Sequence, residues 1–315
     1  MIAPYVLRTP VLMRAELDTW AGAPVLAKAE NLQHTGSYKV RGALNRVRTL
    51  TAAERSRGLV TASAGNAALA VAYAARVHAT TATVVMPAGA VPEKRLAAEA
   101  LGAQVISEDV PDATAAFDRA HWLRDHRGMT FVHPFDDPMV IAGAATATLE
   151  LLQDHPEITH LYVPCSGGGL LAGAVVARDA LGLDVELIGV QPDGSDSMIR
   201  SLAAGRRVTS PVVTTIADGL TAPAPGELDL EIIVDARLRV MAVDDSQIRT
   251  AMVALARHLR VIAEPAGAVA LAGLRADVID GRRFDSAVGV LISGGNVSWP
   301  LAQEIISGSA DAPGR

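Results

Sequence analysis

The chain has 315 residues, half of them apolar, and 28 basic and 34 acidic side chains that give a formal net charge of -6 without runs of one sign. That length fits one large domain or two moderate ones sharing a cleft, and the even spread of charge argues against a nucleic-acid surface or an acidic tail, so a small-molecule partner is expected. A single cysteine, Cys165, rules out an intramolecular disulfide and a thiolate metal cluster; the chain opens without a signal-peptide pattern, and no apolar run reaches the roughly 18 residues of a membrane span, so a cytoplasmic protein is expected.

From residue 58 short β-branched runs alternate with Ala-rich helical ones: GLVTAS, AGNAALAVAYAARVH, TATVVMP, PEKRLAAEALG and AQVISED. The alternation of period 2 with period 3.6 marks parallel β/α units. A helix, DATAAFDRAHWLRDHRG, and a strand, MTFVHP, extend the series to about residue 134, which is enough for a small sheet of its own. A second parallel series starts with a helix near 141–153 and runs through HLYVPC, SGGG, LLAGAVVARDALG and VELIGVQP. Residues 192–240, rich in Gly, Pro and Thr, read as a looser stretch. Helices follow at 246–260, with Ser246 as N-cap, and at 264–276, before a strand, AVGVLIS, that ends in GGN. The last nine residues, SGSADAPGR, lack apolar periodicity and are expected to fray, and the chain ends too soon after the final strand for a fused regulatory domain.

In open parallel sheets ligands collect at the carboxyl ends of strands, which singles out SAGN at 63–66, SGGG at 166–169 and SGGN at 293–296. The run Ser166, Gly167, Gly168, Gly169, Leu170 follows a strand and opens a helix, so its N–H groups and the helix dipole suit a phosphate; glycines alone equally make an empty tight turn. Gly167, Gly169 and Ala172 also satisfy a G-x-G-x-x-A dinucleotide fingerprint with Glu186 downstream, which opens a nicotinamide-dependent dehydrogenase as a rival class. Against it, Glu186 starts the strand VELIGV, whereas a ribose acid belongs at the far end, where Gln191 stands. Lys39 lies between a Thr-Gly turn and a helix from about Val40, and reads either as a solvated surface lysine or as a buried amine able to form a Schiff base with an aldehyde cofactor. Pyridoxal 5'-phosphate needs both a lysine amine and a phosphate cradle, and so joins the two features.

Seven motifs in order, SYKVRGA at 37–43, SAGNAA at 63–68, HPFDDPMVIAG at 133–143, PCSGGGL at 164–170, TIADGL at 215–220, EPAGA at 264–268 and SGGN at 293–296, resemble the threonine dehydratase and serine racemase group of fold-type II pyridoxal-phosphate enzymes. The resemblance spans about residues 7–300. It implies an α/β protein of two domains with parallel-rich twisted sheets, like the tryptophan synthase β chain. Residues 1–46 and 137–315 would form the large cofactor-binding domain, and 47–136 a small mobile domain whose closure excludes water. It also implies that Lys39 carries the cofactor and acts as the base at Cα, that Tyr38 packs beside the ring where the group commonly has Phe, and that Asn66 contacts the ring hydroxyl. Ser166 to Leu170 would hold the phosphate, itself the proton donor to the leaving hydroxyl, and Ser293 would face the pyridine nitrogen. Ser63, Ala64, Gly65, Asn66 and Ala67 would bind the substrate carboxylate. The assembly implied is a homodimer or homotetramer, and the activity is β-elimination from L-threonine or L-serine, with release of ammonia. A neutral Ser293 makes the ring a weaker electron sink than a carboxylate would, which favours elimination over transamination.

Several positions depart from the group's pattern. Ala64 replaces the second serine of racemases and cannot donate a proton, which ranks racemisation below elimination. Ala67 and Ala144 stand where threonine dehydratases usually carry His and Gln, leaving hydroxyaspartate or another β-substituted amino acid as an alternative substrate. Gln191 and Ser197 replace the two acids of a cation site, so no metal is expected. Cys165 reads as a small buried residue, and Glu264 either as a cofactor neighbour or as a plain helix-start carboxylate. A β-replacement synthase of the same fold is the other enzyme class weighed, and TIADGL and PFDDP argue against it.

Overall fold

The computed structural model describes residues 2–210 and 213–308. Its first segment holds β1 (Val11–Leu12), α1 (Ala15–Ala21), β2 (Val25–Ala29) and α2 (Lys39–Thr49). Next come α3 (Ala52–Ser56), β3 (Leu59–Ala62), α4 (Asn66–Val77), β4 (Ala82–Val85), α5 (Pro92–Ala100), β5 (Gln104–Ile106), α6 (Ala113–Arg127) and β6 (Thr130–Phe131). The chain then runs through α7 (Pro138–Asp154), β7 (His160–Pro164), α8 (Gly169–Leu181), β8 (Glu186–Pro192), α9 (Ser197–Ala204), α10 (Glu227–Asp235) and β9 (Arg239–Val243). It closes with α11 (Asp245–Ala254), α12 (Pro265–Ile279), β10 (Val288–Ile292) and α13 (Trp299–Gly308).

These elements build a six-stranded sheet of order β1-β2-β10-β7-β8-β9 and a four-stranded sheet of order β5-β4-β3-β6. All pairings are parallel except β1 with β2. The strands are apolar on both faces because helices cover both. In the larger sheet Val25, Ala27, Tyr162, Val290 and Ile292 face a core shared with α1, α11, α12 and α13, while Leu26, Leu161, Val163 and Leu291 face α7, α8 and α10. The smaller sheet turns Val60, Ala62 and Val85 to α6, and Leu59, Val84 and Met86 to a core shared with α2 and α4. The α2 helix thus leads from the larger sheet to the smaller, and α7 leads back.

Local chemistry fixes the helix starts. Asp137 accepts from the N–H groups of Met139 and Val140, with Pro138 opening α7, and Asp112 caps α6 through Ala115 N. The cap of α11 is Asp244 rather than Ser246: its carboxylate accepts from Gln247 N while the Gln247 side chain accepts from Asp244 N, a reciprocal arrangement that Ser246 cannot make from inside the first turn. The helix expected at 246–260 stops at Ala254 and is followed by one wider turn over Leu255–Leu259. The stretch read as loose between 192 and 240 holds α9, α10 and the start of β9. Its Pro and Gly residues punctuate short elements rather than prevent them. Ser307 and Gly308 close α13, and the rest of the tail expected to fray, 309–315, lies outside the described residues, as do 211 and 212.

Candidate active site

Lys39 is half-buried at the first residue of α2. Its Nζ donates to Pro134 O at 2.9 Å and lies 5.2 and 5.7 Å from the centres of the Tyr38 and Phe135 rings. Two backbone contacts hang this segment on the end of β10: Tyr38 N donates to Ser293 O at 3.1 Å, and Ser37 forms a bridge with Gly294. A small cavity walled by Tyr38, Lys39, Phe135, Ala144 and Gly169 places the amine and the glycine turn in one site.

The glycine turn links β7 to α8. Gly168 has φ +115°, a conformation open to glycine, and a Cβ there would lie 2.7 Å from the Cβ of Asp229. At Gly167 a Cβ would overlap the Phe135 ring. Ser166 Oγ accepts from Ala222 N at 3.0 Å, and Gly226 N donates to Gly167 O at 2.8 Å. No side chain caps α8, and its first amides, beginning at Gly169 and Leu170, have no acceptor within the helix.

The SAGN turn ends β3 and opens α4. Gly65 N donates to Ser63 Oγ at 3.1 Å, no side chain caps α4, and a Cβ on Gly65 would meet nothing within 4 Å, so this turn faces open space. Ala64 is half-buried and Ala67 buried beside it. Asn66 reaches the other sheet: its Nδ2 donates to Glu264 Oε1 at 2.5 Å, and its Oδ1 accepts from Asn296 Nδ2 at 2.8 Å. Glu264 accepts from Asn66 and stands just before α12, where the helix-start reading put it. Burial pushes its carboxyl up to about 7, partly offset by the Asn66 hydrogen bond. Ser293 is buried with Oγ donating to Ala266 O at 3.3 Å, and a Cβ on the adjoining Gly294 would lie 3.2 Å from Asn66 Nδ2.

Three further contributors went unsingled in the sequence. His133 Nδ1 accepts from Phe135 N and Asp136 N at 3.2 and 2.7 Å, which fixes the turn presenting Pro134 O and Phe135 to Lys39. Burial pushes His133 down to about 4, with Asp136 opposing, so the ring is neutral with its hydrogen on Nε2. Lys94 on α5 pairs with Asp218 of the TIADGL loop, joining the layer of the small sheet to the larger body. Asp229, buried on α10, adjoins Gly168. The HPFDDP and TIADGL motifs were the available signal for the first two; Asp229 falls outside every motif.

The dinucleotide alternative fails on position. Glu186 lies at the amino end of β8, opposite the glycine turn, and is bound there by Arg282 at 2.5 Å. Comparison with known proteins gives the family: the model described as pyridoxal-phosphate dependent enzyme matches residues 2–294. The chain belongs to that family. An L-threonine ammonia-lyase of Thermotoga maritima is 39% identical over 312 residues, covering 98% of this chain and 76% of that relative. An L-threo-3-hydroxyaspartate ammonia-lyase of Saccharomyces cerevisiae is 34% identical, covering 99% of this chain and 95% of that relative. The structure of maize serine racemase superposes with a TM-score of 0.91 at 34% identity, covering 98% of this chain and 94% of that one.

This pyridoxal-phosphate enzyme is accordingly a lyase of the ammonia-lyase group, acting on a small molecule, and its residues fit the cofactor. Lys39 supplies the amine, and the uncapped glycine turn from Ser166 to Leu170 offers free amides with no side chain in the way of a phosphate. Gln191 Oε1 accepts from Ile199 N and Ser197 Oγ donates to Ala222 O. Among the described residues no group of three or more His, Cys, Asp or Glu is placed to hold a metal ion, and no helix is long and apolar enough to cross a membrane.

Proposed function

We propose that the enzyme eliminates the β-hydroxyl of L-threonine to give 2-oxobutyrate and ammonia, and converts L-serine to pyruvate in the same way. The observation that carries this reading is the single amine of Lys39 facing a site whose SAGN turn offers Ala64, a residue unable to protonate the opposite face of Cα. When bound, pyridoxal phosphate draws electrons from the substrate's Cα and makes its proton removable. The Lys39 amine would hold the cofactor and, when free, takes that proton as general base. The turn from Ser63 to Ala67 holds the substrate carboxylate through the amides of Ala64, Asn66 and Ala67, with Ser63 N bonded to Val85 O and Gly65 N to Ser63 Oγ, and Asn66 and Ser293 orient the ring, Ser293 without adding a charge to it. The β-hydroxyl departs as water, and water later hydrolyses the released enamine to the 2-oxoacid and ammonia, so the net change is loss of ammonia.

Residues 47–136 act in this reading as the small domain that closes over the substrate and keeps water out. Polar contacts join the small sheet's layer to the larger body through Asn66 with Glu264 and Asn296 and through Lys94 with Asp218, beside the apolar packing of Val40, Ala43 and Leu44 on the small domain. Alanines at 67 and 144 give the site a less polar lining than His and Gln would.

The test is release of 2-oxoacid and ammonia from L- and D-threonine, L- and D-serine and 3-hydroxyaspartate, with wild type and Lys39→Ala side by side. Expected is 2-oxobutyrate from L-threonine, falling by about a thousandfold or more in the variant. A preference for hydroxyaspartate would overturn the substrate, and no oxoacid from any compound would overturn the reaction.

A further inference from the structure

Four carboxylates are buried among the described residues: Glu30, Asp229, Glu264 and Asp277. Glu30 accepts from Arg41 and Thr9, Glu264 from Asn66, and Asp277 from Arg239 and Tyr162. Asp229 is 0% exposed, and neither of its oxygens has a hydrogen-bond partner. Its place is not arbitrary. It stands in the first turn of α10 behind the glycine turn, where a Cβ on Gly168 would come within 2.7 Å of its Cβ and one on Gly226 within 2.6 Å of Oδ2. The two glycines bring the turn and the carboxyl together, and Gly226 N donates to Gly167 O to fix the contact.

We propose that Asp229 is a further positioning residue of the cofactor site, a neutral carboxyl that donates a hydrogen bond at the phosphate end of the site. An unpaired buried polar group is costly unless a ligand completes it, and the ligand for which this turn is built is an anion, which a carboxylate would repel and a carboxylic acid can serve. The groups facing Asp229 agree. Burial pushes its carboxyl up to about 8, the neighbouring Asp136 pushes the same way, and Lys39 opposes; the other titratable group beside it, the buried Cys165 thiol, is uncharged. The apolar Met198 and Ile233 lie beside Asp229 against Gly168 and bring no charge. The role holds whichever amino acid is the substrate.

The experiment uses the full chain stripped of cofactor and titrated with phenyl phosphate, which has no aldehyde to form a Schiff base with Lys39 and no ring group that titrates. Between pH 7 and 10 the probe's phosphate stays a dianion, so a change in affinity reports the protein. Wild type should lose about tenfold in affinity as Asp229 ionises over that range. Asp229→Asn, which keeps a donor and cannot ionise, should bind equally well across the range, and Asp229→Ala should bind about tenfold more weakly at pH 7. In the holoenzyme the phosphorus-31 resonance of the bound cofactor should shift with pH in wild type and hold still in Asp229→Asn. A wild-type affinity that stays flat, or an Asp229→Asn profile that falls in parallel with it, would overturn the proposal. If a variant fails to fold, the wild-type affinity and phosphorus profiles decide by themselves.

Discussion

Arg41 and Asp229 are equally shielded from water, yet one is surrounded by partners and the other has none. The Arg41 guanidinium makes paired bonds of 2.7 and 2.8 Å to Glu30 and of 2.8 and 2.9 Å to Glu150, and adds Thr146 Oγ1 and Leu7 O. Lys28 closes the set through Glu150 and Thr9 O. Burial disfavours the Arg41 charge, but Glu30 and Glu150 more than compensate and hold it above its ordinary value. This cluster ties the N-terminal segment, β2, α2 and α7 together two residues from Lys39, and it is complete without any ligand. Around the glycine turn and α10 the opposite holds: uncapped amides and an unpaired carboxyl are left over by the fold. Where every buried charge is matched the polar groups serve the structure, and where they are not they wait for something to bind.

The sharpest way to break this distinction is to remove one member of each region. Arg41→Met leaves the buried Glu30 without a charged partner and Glu150 with Lys28 alone, so it should cost about 3–5 kcal/mol of unfolding free energy in urea titrations. Asp229→Asn should cost almost nothing in the cofactor-free protein near pH 7, because it exchanges a neutral carboxyl that has no partner for a neutral amide of the same shape. Equal losses in the two variants would mean that Asp229 is as structural as Arg41.

Much of this was legible in the sequence, and the reason is local. Strands such as VELIGVQP and helices such as AGNAALAVAYAARVH carry their period in contiguous residues, and the glycine turn announces itself because Gly168 must adopt a positive φ. What stayed hidden depends on contacts between distant residues. Asp229 in ELDLEIIVD reads as an ordinary acid in the first turn of a surface helix, and only the approach of Gly168, 61 positions earlier in the chain, buries it. The cap of α11 was misplaced by two residues because Ser246 and Asp244 are equally plausible until the Gln247 side chain chooses between them. Likewise, neither Lys94 nor Asp218 carries a sign that the other is its partner.

Glu264 lies between the two extremes, buried but with one partner, and its response to pH should be intermediate too. The folded protein keeps this carboxyl protonated up to about 7, whereas its ordinary value is 4.5, so the native state binds the extra proton between those limits. The associated stability is present in full below about pH 4.5 and is lost as pH rises through 7. Glu264→Gln retains an acceptor for Asn66 Nδ2 without the charge, so its advantage over wild type should grow from near zero at pH 4.5 to as much as about 3 kcal/mol at pH 8. Denaturation of both proteins at the two pH values measures this; an advantage that does not change with pH would show that Glu264 is ionised throughout and belongs with the matched cluster.

The smallest effect is expected at the ion pair between the two sheets. Lys94 and Asp218 are partly exposed, at 21% and 54% of their side chains, so water screens them and their contribution to stability is minor. Their place between the small domain and the larger body matters more than their strength. If the small domain opens and closes over the substrate, the pair exists only in the closed form and shifts that equilibrium by its own modest energy. Lys94→Met should then raise KM about threefold, with unfolding free energy unchanged and little effect on kcat. The double variant Lys94→Met with Asp218→Asn should be no worse than the more severe single one if the two residues act on KM only through each other. Additive losses in kcat would instead place Asp218 in contact with the substrate, and the region of unmatched groups would then extend from the glycine turn to the rim of the cleft.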